Sequence, residues 1–395
     1  MARSGQLQRR TRALMLAAAG ALAAHNAAAQ EPIKIGLIMP LTGILAPVGK
    51  QAVAGARLYI AQHGDVVAGR KVVFIVRDDA SVPDVSKRLA QELIVNDKID
   101  VIGGGLTPNV LAIAPLVTES KKATVVMVSG TSIVTQRSPY FVRTSWTHAQ
   151  QASVLGDWAV KNGSKKVAII SSDWAPGAEA SGVFTSSFTK AGGTIVESLK
   201  VPLANPDFAP FLQRARDSEP DTLFVFVPAS QAAVFAKQFV ERGLDKSGIK
   251  LIGPGDITDD EDLPGMSDAM IGTITSGFYS AHHASPLNVA YVAAFRQANG
   301  GVRPNFISVS AYDGMHLIYE ALRKTGGRSD GDVLIAAMKG TSWESPRGPI
   351  SIDPETRDVV QNIYLRKVER IDRELYSVEF STVEAVKDPL KMASH

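Results

Sequence analysis

The sequence predicts an α/β protein of two doubly wound, Rossmann-like lobes joined by a hinge that the chain crosses several times. Three observations predict it. Short apolar, β-branched runs alternate with stretches whose apolar residues recur at helical spacing. The alternation runs once from Ile33 and restarts near Trp146. The chain of 395 residues is also longer than one hydrophobic core usually supports.

The first set of elements opens with Ile33 to Met39, apolar enough for a buried strand. Gln51 to Gln62 then reads as a helix with Val53, Ala54, Leu58 and Ala61 inward, and Val72 to Val76 as the next strand. Val85, Leu89, Leu93 and Ile94 mark one helix face. Val101-Ile102 and Thr124 to Val128 are strands on either side of a helix from Val110 to Ser120. Strands linked through helices imply a parallel sheet.

The second set repeats this plan. A helix carrying Val154, Leu155, Trp158 and Ala159 leads to the strand Val167 to Ile170, the helix Ala178 to Ala191 and a strand near Ile195. A helix around Phe208 to Ala215 precedes the strand Thr222 to Val227 and the helix Gln231 to Arg242. Ile249 to Ile252 and Ile271 to Thr275 complete the strands. A long helix with Val309, Tyr312, Leu317, Ile318 and Leu322 has no strand partner in this set and is expected on the first lobe. The segment 353–378 alternates in strand fashion around Ile363 to Val368 and is expected to return to the second lobe. The expected division is 30–145 with 277–345 for one lobe, 146–276 with 346–382 for the other, and 383–395 as a tail.

Residues 1–29 read as a cleaved signal peptide rather than structure. Arg3, Arg9, Arg10 and Arg12 precede an apolar stretch too short for a membrane span, which ends at Ala27-Ala28-Ala29. Export to the periplasm as a soluble protein is therefore expected. Those four arginines come without acids, so their removal turns 42 basic against 39 acidic residues into 38 against 39. A nearly neutral protein has no nucleic-acid footprint. The absence of cysteine excludes disulfides and thiolate catalysis.

Ligands of doubly wound sheets bind beyond the carboxyl ends of the strands, so loops at those ends are the candidate sites. In the first set these are Pro40 to Gly49, Gly103 to Asn109 and Val128 to Ser132. Thr107 falls at a helix N-terminus, where its amide and hydroxyl can donate to an anion, and helix capping accounts for it equally well. Ser129, Thr131 and Ser132 add hydroxyls, which hold a carboxylate without a buried cation. The second set supplies Ser172 to Gly177, Pro228 to Gln231 and Gly253 to Asp256, all directly after expected strands.

Taken together, several motifs are specific. They are Ile33 to Gly36 with Leu41-Thr42-Gly43, Arg77-Asp78-Asp79, Val101-Ile102-Gly103, Ala114-Pro115-Leu116, Phe141 to Thr144, Ser172 to Gly177 and Ala311-Tyr312-Asp313. With them the chain resembles the leucine/isoleucine/valine-binding family of periplasmic receptors for ABC importers over nearly all of its mature length. The resemblance implies the type I periplasmic binding protein fold, a monomer that binds without catalysis or cofactor, and a membrane permease as partner. The family's carboxylate-binding serine matches Thr107, and its next hydroxyl-bearing strand end matches Ser129 to Ser132. Its aromatic residue before the first helix falls on Val48, and its tyrosine before the second-lobe glycine on Pro176. The acid that pairs with a ligand ammonium falls near Gly255, one position from Asp256. The candidate binding residues are thus Val48, Leu106, Thr107, Ser129, Thr131, Ser132, Trp174, Pro176, Ala229, Ser230 and Asp256. Carboxylate binding is retained in kind while the amine partner is displaced, so a branched-chain amino acid and an aromatic acid both stand as ligands. The run Arg347 to Asp353 is similar to the family's aromatic-acid branch.

Other function classes fit less well. No nucleophile elbow or phosphate loop occurs. His282-His283 has no companion cluster for a metal and reads as an exposed loop pair. Asp256, Asp259, Asp260, Glu261 and Asp262 read as a solvated acidic loop. A ligand-sensing receptor module uncoupled from transport is the alternative of a different class.

Overall fold

A computed structural model describes residues 31–392. The expected signal peptide lies outside them. Two sheets form, each from one half of the predicted alternation.

The first sheet collects β1 (Ile33–Met39), β2 (Val66–Val67), β3 (Arg70–Asp78), β4 (Val101–Gly104), β5 (Thr124–Val126) and β6 (Phe141–Arg143) in the order β2-β3-β1-β4-β5-β6. All pairings are parallel except that of β2 with β3. Helices α1 (Ala46–His63), α2 (Pro83–Val95) and α3 (Thr107–Glu119) make the crossovers. Buried on both faces, β4 is apolar throughout and β1 is apolar but for half-buried Lys34, as a parallel sheet requires.

The second half begins with α4 (His148–Lys161), held at its start by a capping box between Thr147 and Gln150. It continues through β7 (Lys166–Ser172), α5 (Ala175–Lys190), β8 (Thr194–Val201), α6 (Ala209–Asp217), β9 (Thr222–Phe226), α7 (Ala232–Glu241), β10 (Lys250–Pro254) and β11 (Ile274–Gly277). The chain then supplies α8 (Pro286–Ala298), α9 (Phe306–Lys324) and α10 (Gly331–Met338), followed by β12 (Ser342–Ser345), β13 (Gly348–Ile352), β14 (Val359–Ile371), β15 (Glu374–Val386) and α11 (Pro389–Met392). The second sheet runs β12-β13-β14-β11-β10-β9-β7-β8, with β15 paired to β14. The long helix α9 packs along α1, so it does rest on the first lobe. Its side chains Val309, Leu317, Ile318 and Leu322 join Ile35, Leu37 and Val125 in one core.

Three local expectations change. Ser342–Ser345 belongs to the second sheet, because it forms a hairpin with β13. The alternation of four residues was too short to read. Residues 383–386 continue β15 rather than starting a tail, and Lys391 beyond them reaches Asp358 in the interior. Helices α8 and α10 had no expected counterpart, since each is short and covers one side of α1 or α9.

The chain passes between the lobes three times, after β6, after β11 and before β12. Two buried arginines hold these passages. Arg143 pairs with Asp358 at 2.8 Å and donates to the carbonyls of Ser129, Thr131 and Trp146 at 2.7 to 2.8 Å. Arg347 pairs with Asp313 of α9 at 2.8 Å and donates to Thr144 O at 2.6 Å and Gln361 Oε1 at 2.9 Å.

The second lobe has an aromatic centre independent of these passages. Phe184 of α5 is fully buried and stacks on Phe224 at 4.1 Å and Phe188 at 5.4 Å. Phe184→Ala is expected to lower unfolding free energy by about 3–5 kcal/mol through the cavity left behind. Chemical denaturation followed by circular dichroism checks this, and a loss below about 1 kcal/mol would mean that the site collapses around the gap.

Candidate functional site

In the first sheet the strand order reverses direction between β1 and β4, and in the second between β7 and β9. At such switch points the loops leave on opposite sides and open a crevice at the strand ends. The two crevices face each other. Between them lies a narrow cavity, lined from one lobe by Leu45, Val48, Leu106, Thr107, Val128, Gly130, Phe306 and Ile307. The passage after β6 adds Trp146 and His148, and the other lobe adds Trp174, Pro176, Phe226, Pro228, Ala229 and Asp256.

Seven of the sequence-predicted residues stand in this wall: Val48, Leu106, Thr107, Trp174, Pro176, Ala229 and Asp256. Delivery of Thr107 depends on two glycines. Gly104 and Gly105 have φ of +100° and +88°, and a Cβ on Gly105 would come within 2.1 Å of Val110. Thr107 does not cap its helix. Leu106 occupies the capping position, and the Thr107 hydroxyl instead meets Ser129 Oγ at 2.7 Å and Thr131 Oγ1 at 3.0 Å. Ser129 and Thr131 therefore stand one layer behind the wall, orienting the hydroxyl that reaches it. As a first-turn residue of α3, Thr107 also leaves its backbone N–H without an intrahelical acceptor, at the positive end of the helix.

Ser132 is engaged elsewhere. Its N–H and hydroxyl both donate to the Glu179 carboxylate of α5 at 3.0 Å, which bridges the two lobes. Burial pushes Glu179 up to about 7 despite these bonds. Ser230 lies off the cavity, because the short 3₁₀ turn Ala229–Gln231 carries it past the wall.

The candidate binding residues read from the sequence did not include His148, Phe226 and Phe306, nor Trp146, which the sequence places only at the first crossing between the lobes. Trp146 stacks on Phe278 at 5.4 Å and meets Phe306 edge-on at 4.9 Å. His148 packs edge-on against Phe226 at 4.8 Å. Burial, reinforced by Arg143, pushes His148 down to about 3, so its ring is neutral. A Cβ on Gly130 would lie 2.4 Å from His148 Nε2 and 2.6 Å from Trp146 Nε1, so only glycine fits between the hydroxyl residues on either side of it. The indole nitrogens of Trp146 and Trp174 are buried without a hydrogen-bond partner. Trp158 is half-buried beside Phe380, away from the cavity.

The acidic stretch after Asp256 is not a solvated loop. Asp256, Asp259 and Asp260 are 6%, 2% and 2% exposed. Asp259 accepts from Asn305 Nδ2 at 3.1 and 3.0 Å across the lobes, and from the Glu261 N–H at 2.9 Å. Burial raises all three carboxyls, Asp256 to about 7 and Asp260 to about 6, while the buried guanidinium of Arg366 opposes the rise at Asp256 and Asp260. His283 is likewise not a free loop residue, since its Nδ1 sits 2.8 Å from Glu379. Among the described residues no group of three or more metal-ligating side chains occurs, and no helix is long and apolar enough to cross a membrane.

The model of the periplasmic binding protein family matches residues 32–373. The chain belongs to this family. It is 61% identical to a solute-binding protein of an ABC transporter from Rhodopseudomonas palustris BisB5, solved in complex with 3,4-dihydroxybenzoic acid. That alignment covers 91% of this chain and 99% of the other, with a TM-score of 0.90. A second R. palustris solute-binding protein, in complex with 4-hydroxybenzoate, is 41% identical with a TM-score of 0.88 over 92% of this chain and all of its own. The Leu/Ile/Val-binding protein homolog 6 of Brucella suis is 41% identical over 93% of this chain and 95% of its own. The two-lobe fold expected from the alternating elements is thus the fold of this family.

Two outcomes are expected of the site. Thr107→Ala should weaken ligand binding by about 1–3 kcal/mol by calorimetry, and unchanged affinity would remove Thr107 from the site. Glu179 is raised to about 7 when the lobes meet and returns toward the ordinary carboxyl range when they part. Closure therefore takes up a proton between those values, and this contribution is lost as pH rises through about 7. Affinity should fall several-fold from pH 6 to pH 8, and Glu179→Gln should flatten that slope. Asp388 and Arg143 also face Glu179, and an undiminished slope in Glu179→Gln would assign the proton to Asp388 or Asp256.

Proposed function

We propose that this chain is the substrate-binding subunit of an ABC importer and closes on a monocyclic aromatic carboxylate. The observation that carries this reading is the make-up of the cavity wall. Trp146, Trp174, Phe226 and Phe306, with Pro176 and Pro228, form flat apolar surfaces around a narrow space. A benzene ring fills such a space by stacking and edge contacts. The polar complement suits an anion, since the Thr107 hydroxyl and the free N–H at the start of α3 can donate toward a ligand, while Asp256 is the one carboxyl in the wall. The complexes of the two R. palustris relatives support the same ligand class.

An α-amino acid fits this wall less well. A buried ammonium needs acceptors for three N–H groups, and any left unpaired costs about 1–3 kcal/mol. Asp256 is the one carboxyl in this wall that could accept from it, and the nearby carbonyls of Trp174, Pro228 and Gly130 already each accept a backbone N–H, from Ala178, Gln231 and His148. Function then follows from closure: the ligand contacts both lobes only when they meet, so it shifts the receptor toward the closed form that a permease recognises. Binding of this kind uses no catalytic group. The receptor is expected to work as a periplasmic monomer, with no cofactor and no nucleic-acid partner.

Titration of the protein without residues 1–29 against 3,4-dihydroxybenzoate, its amide and leucine tests the reading, with intrinsic fluorescence as the signal because Trp146 and Trp174 line the cavity. The acid is expected to bind and to alter the fluorescence, and the amide to bind at least about tenfold more weakly. Binding of leucine alone would return the protein to the branched-chain amino-acid receptors.

A further inference from the structure

We infer that Asp256 is the residue that selects a ring hydroxyl, accepting the phenolic O–H of a hydroxybenzoate whose carboxylate is held at Thr107 on the facing lobe. This rests on the aromatic-acid reading and gives the ligand its orientation and its required substituent.

The cavity is polarised between the lobes. On the first-lobe wall the polar atoms are the Thr107 hydroxyl and the free N–H of the α3 terminus, both of which can donate. The second-lobe wall is apolar at Pro176, Phe226, Pro228 and Ala229, and its charged group is the Asp256 carboxyl. Asp256 is 6% exposed, lines the cavity, and receives no hydrogen bond from another side chain among the described residues. A buried carboxyl met by its own backbone N–H and by no other side chain is short of donors, and a ligand that brings an O–H recovers part of the desolvation of the group.

The local backbone explains why Asp256 faces the cavity. Strand β10 ends at Pro254, and Gly255 follows with its N–H on Gln151 Oε1 at 3.3 Å. A Cβ at Gly255 would come within 2.2 Å of Arg366 Nη2, so the guanidinium closes off the rear of this turn. Arg366 is itself committed to Tyr279 O and Thr275 Oγ1, the latter at 3.1 Å. It therefore supplies a field at Asp256 but no hydrogen bond. The next residue is left to project forward, where a single phenolic proton satisfies it. A carboxylate cannot take this end, because two acidic groups would meet without a donor between them. The ring thus enters with its hydroxyl toward the second lobe and its carboxylate toward the first, bridging both.

The chemistry that recognises a hydroxyl also rejects its absence, since benzoate would leave Asp256 buried and unpaired. Calorimetric titration of the wild type with 4-hydroxybenzoate, 4-methoxybenzoate and benzoate, repeated on Asp256→Asn and Asp256→Leu with thermal melts to confirm folding, tests the assignment. The wild type is expected to prefer 4-hydroxybenzoate to both others by about tenfold or more. In Asp256→Leu the three acids should fall within about threefold of one another, and in Asp256→Asn the preference should shrink but keep its sign, as the amide oxygen still accepts. Equal affinities in the wild type, or an undiminished preference in folded Asp256→Leu, would overturn the assignment while leaving aromatic-acid binding intact. Binding of none of the three acids would overturn both. Should Asp256→Leu fail to fold, the wild-type series and Asp256→Asn decide alone.

Discussion

Everything that makes this molecule a receptor hangs on two guanidinium groups buried where the chain passes between its lobes. A bare buried cation costs several kcal/mol, so each must be surrounded by acceptors fixed in place. Arg143 gathers the carbonyls of Ser129, Thr131 and Trp146 and the carboxylate of Asp358. Arg347 gathers Thr144, Ser145, Gln361 and Asp313. The planar fork of arginine suits several carbonyls at once, which a lysine could not match. The same bonds that neutralise the charge also shape the loop behind Thr107 and fix where Trp146 enters the cavity. Lys391 near the end of the described chain joins the set through Asp358, so β15 and α11 anchor the hinge as well.

Closure and recognition share this frame. Two of the inter-lobe contacts away from the cavity, Ser132 with Glu179 and Asn305 with Asp259, involve carboxyls that burial has raised. Such contacts are weak enough to break when the ligand leaves, because neither carboxyl gains the full strength of an ionised pair. A hydrophobic seam of equal area would hold the lobes together without ligand. The cavity itself follows the opposite rule. Its walls are rigid aromatic and proline surfaces, with hydroxyls stacked one layer behind to fix the direction of a single donor.

The acidic stretch from Asp256 to Asp262 shows how charge along a chain misleads. A run of carboxylates reads as solvated because an isolated buried charge is so costly. Here the run folds inward because Arg366, from a strand more than a hundred residues later, and Asn305, from the start of α9, supply the missing partners.

The sequence by itself determined the alternation of strands and helices, the division into two sheets and the return of α9 to the first lobe. These follow from local periodicity, which burial on one or both faces imposes on every element. It also placed seven cavity residues, because in doubly wound sheets the loop after a strand is where ligands bind, and those loops are contiguous in sequence. Tertiary structure decided the rest. The choice between Thr107 as a cap and Thr107 as a wall residue turned on Ser129 and Thr131 lying within 3.0 Å. Phe306, His148 and Phe226 enter the wall from elements that no local pattern connects, and Ser132 leaves it because Glu179 of the other lobe takes its donors. Contacts across a hinge join residues far apart in the chain, and only the closed packing of the two lobes specifies them.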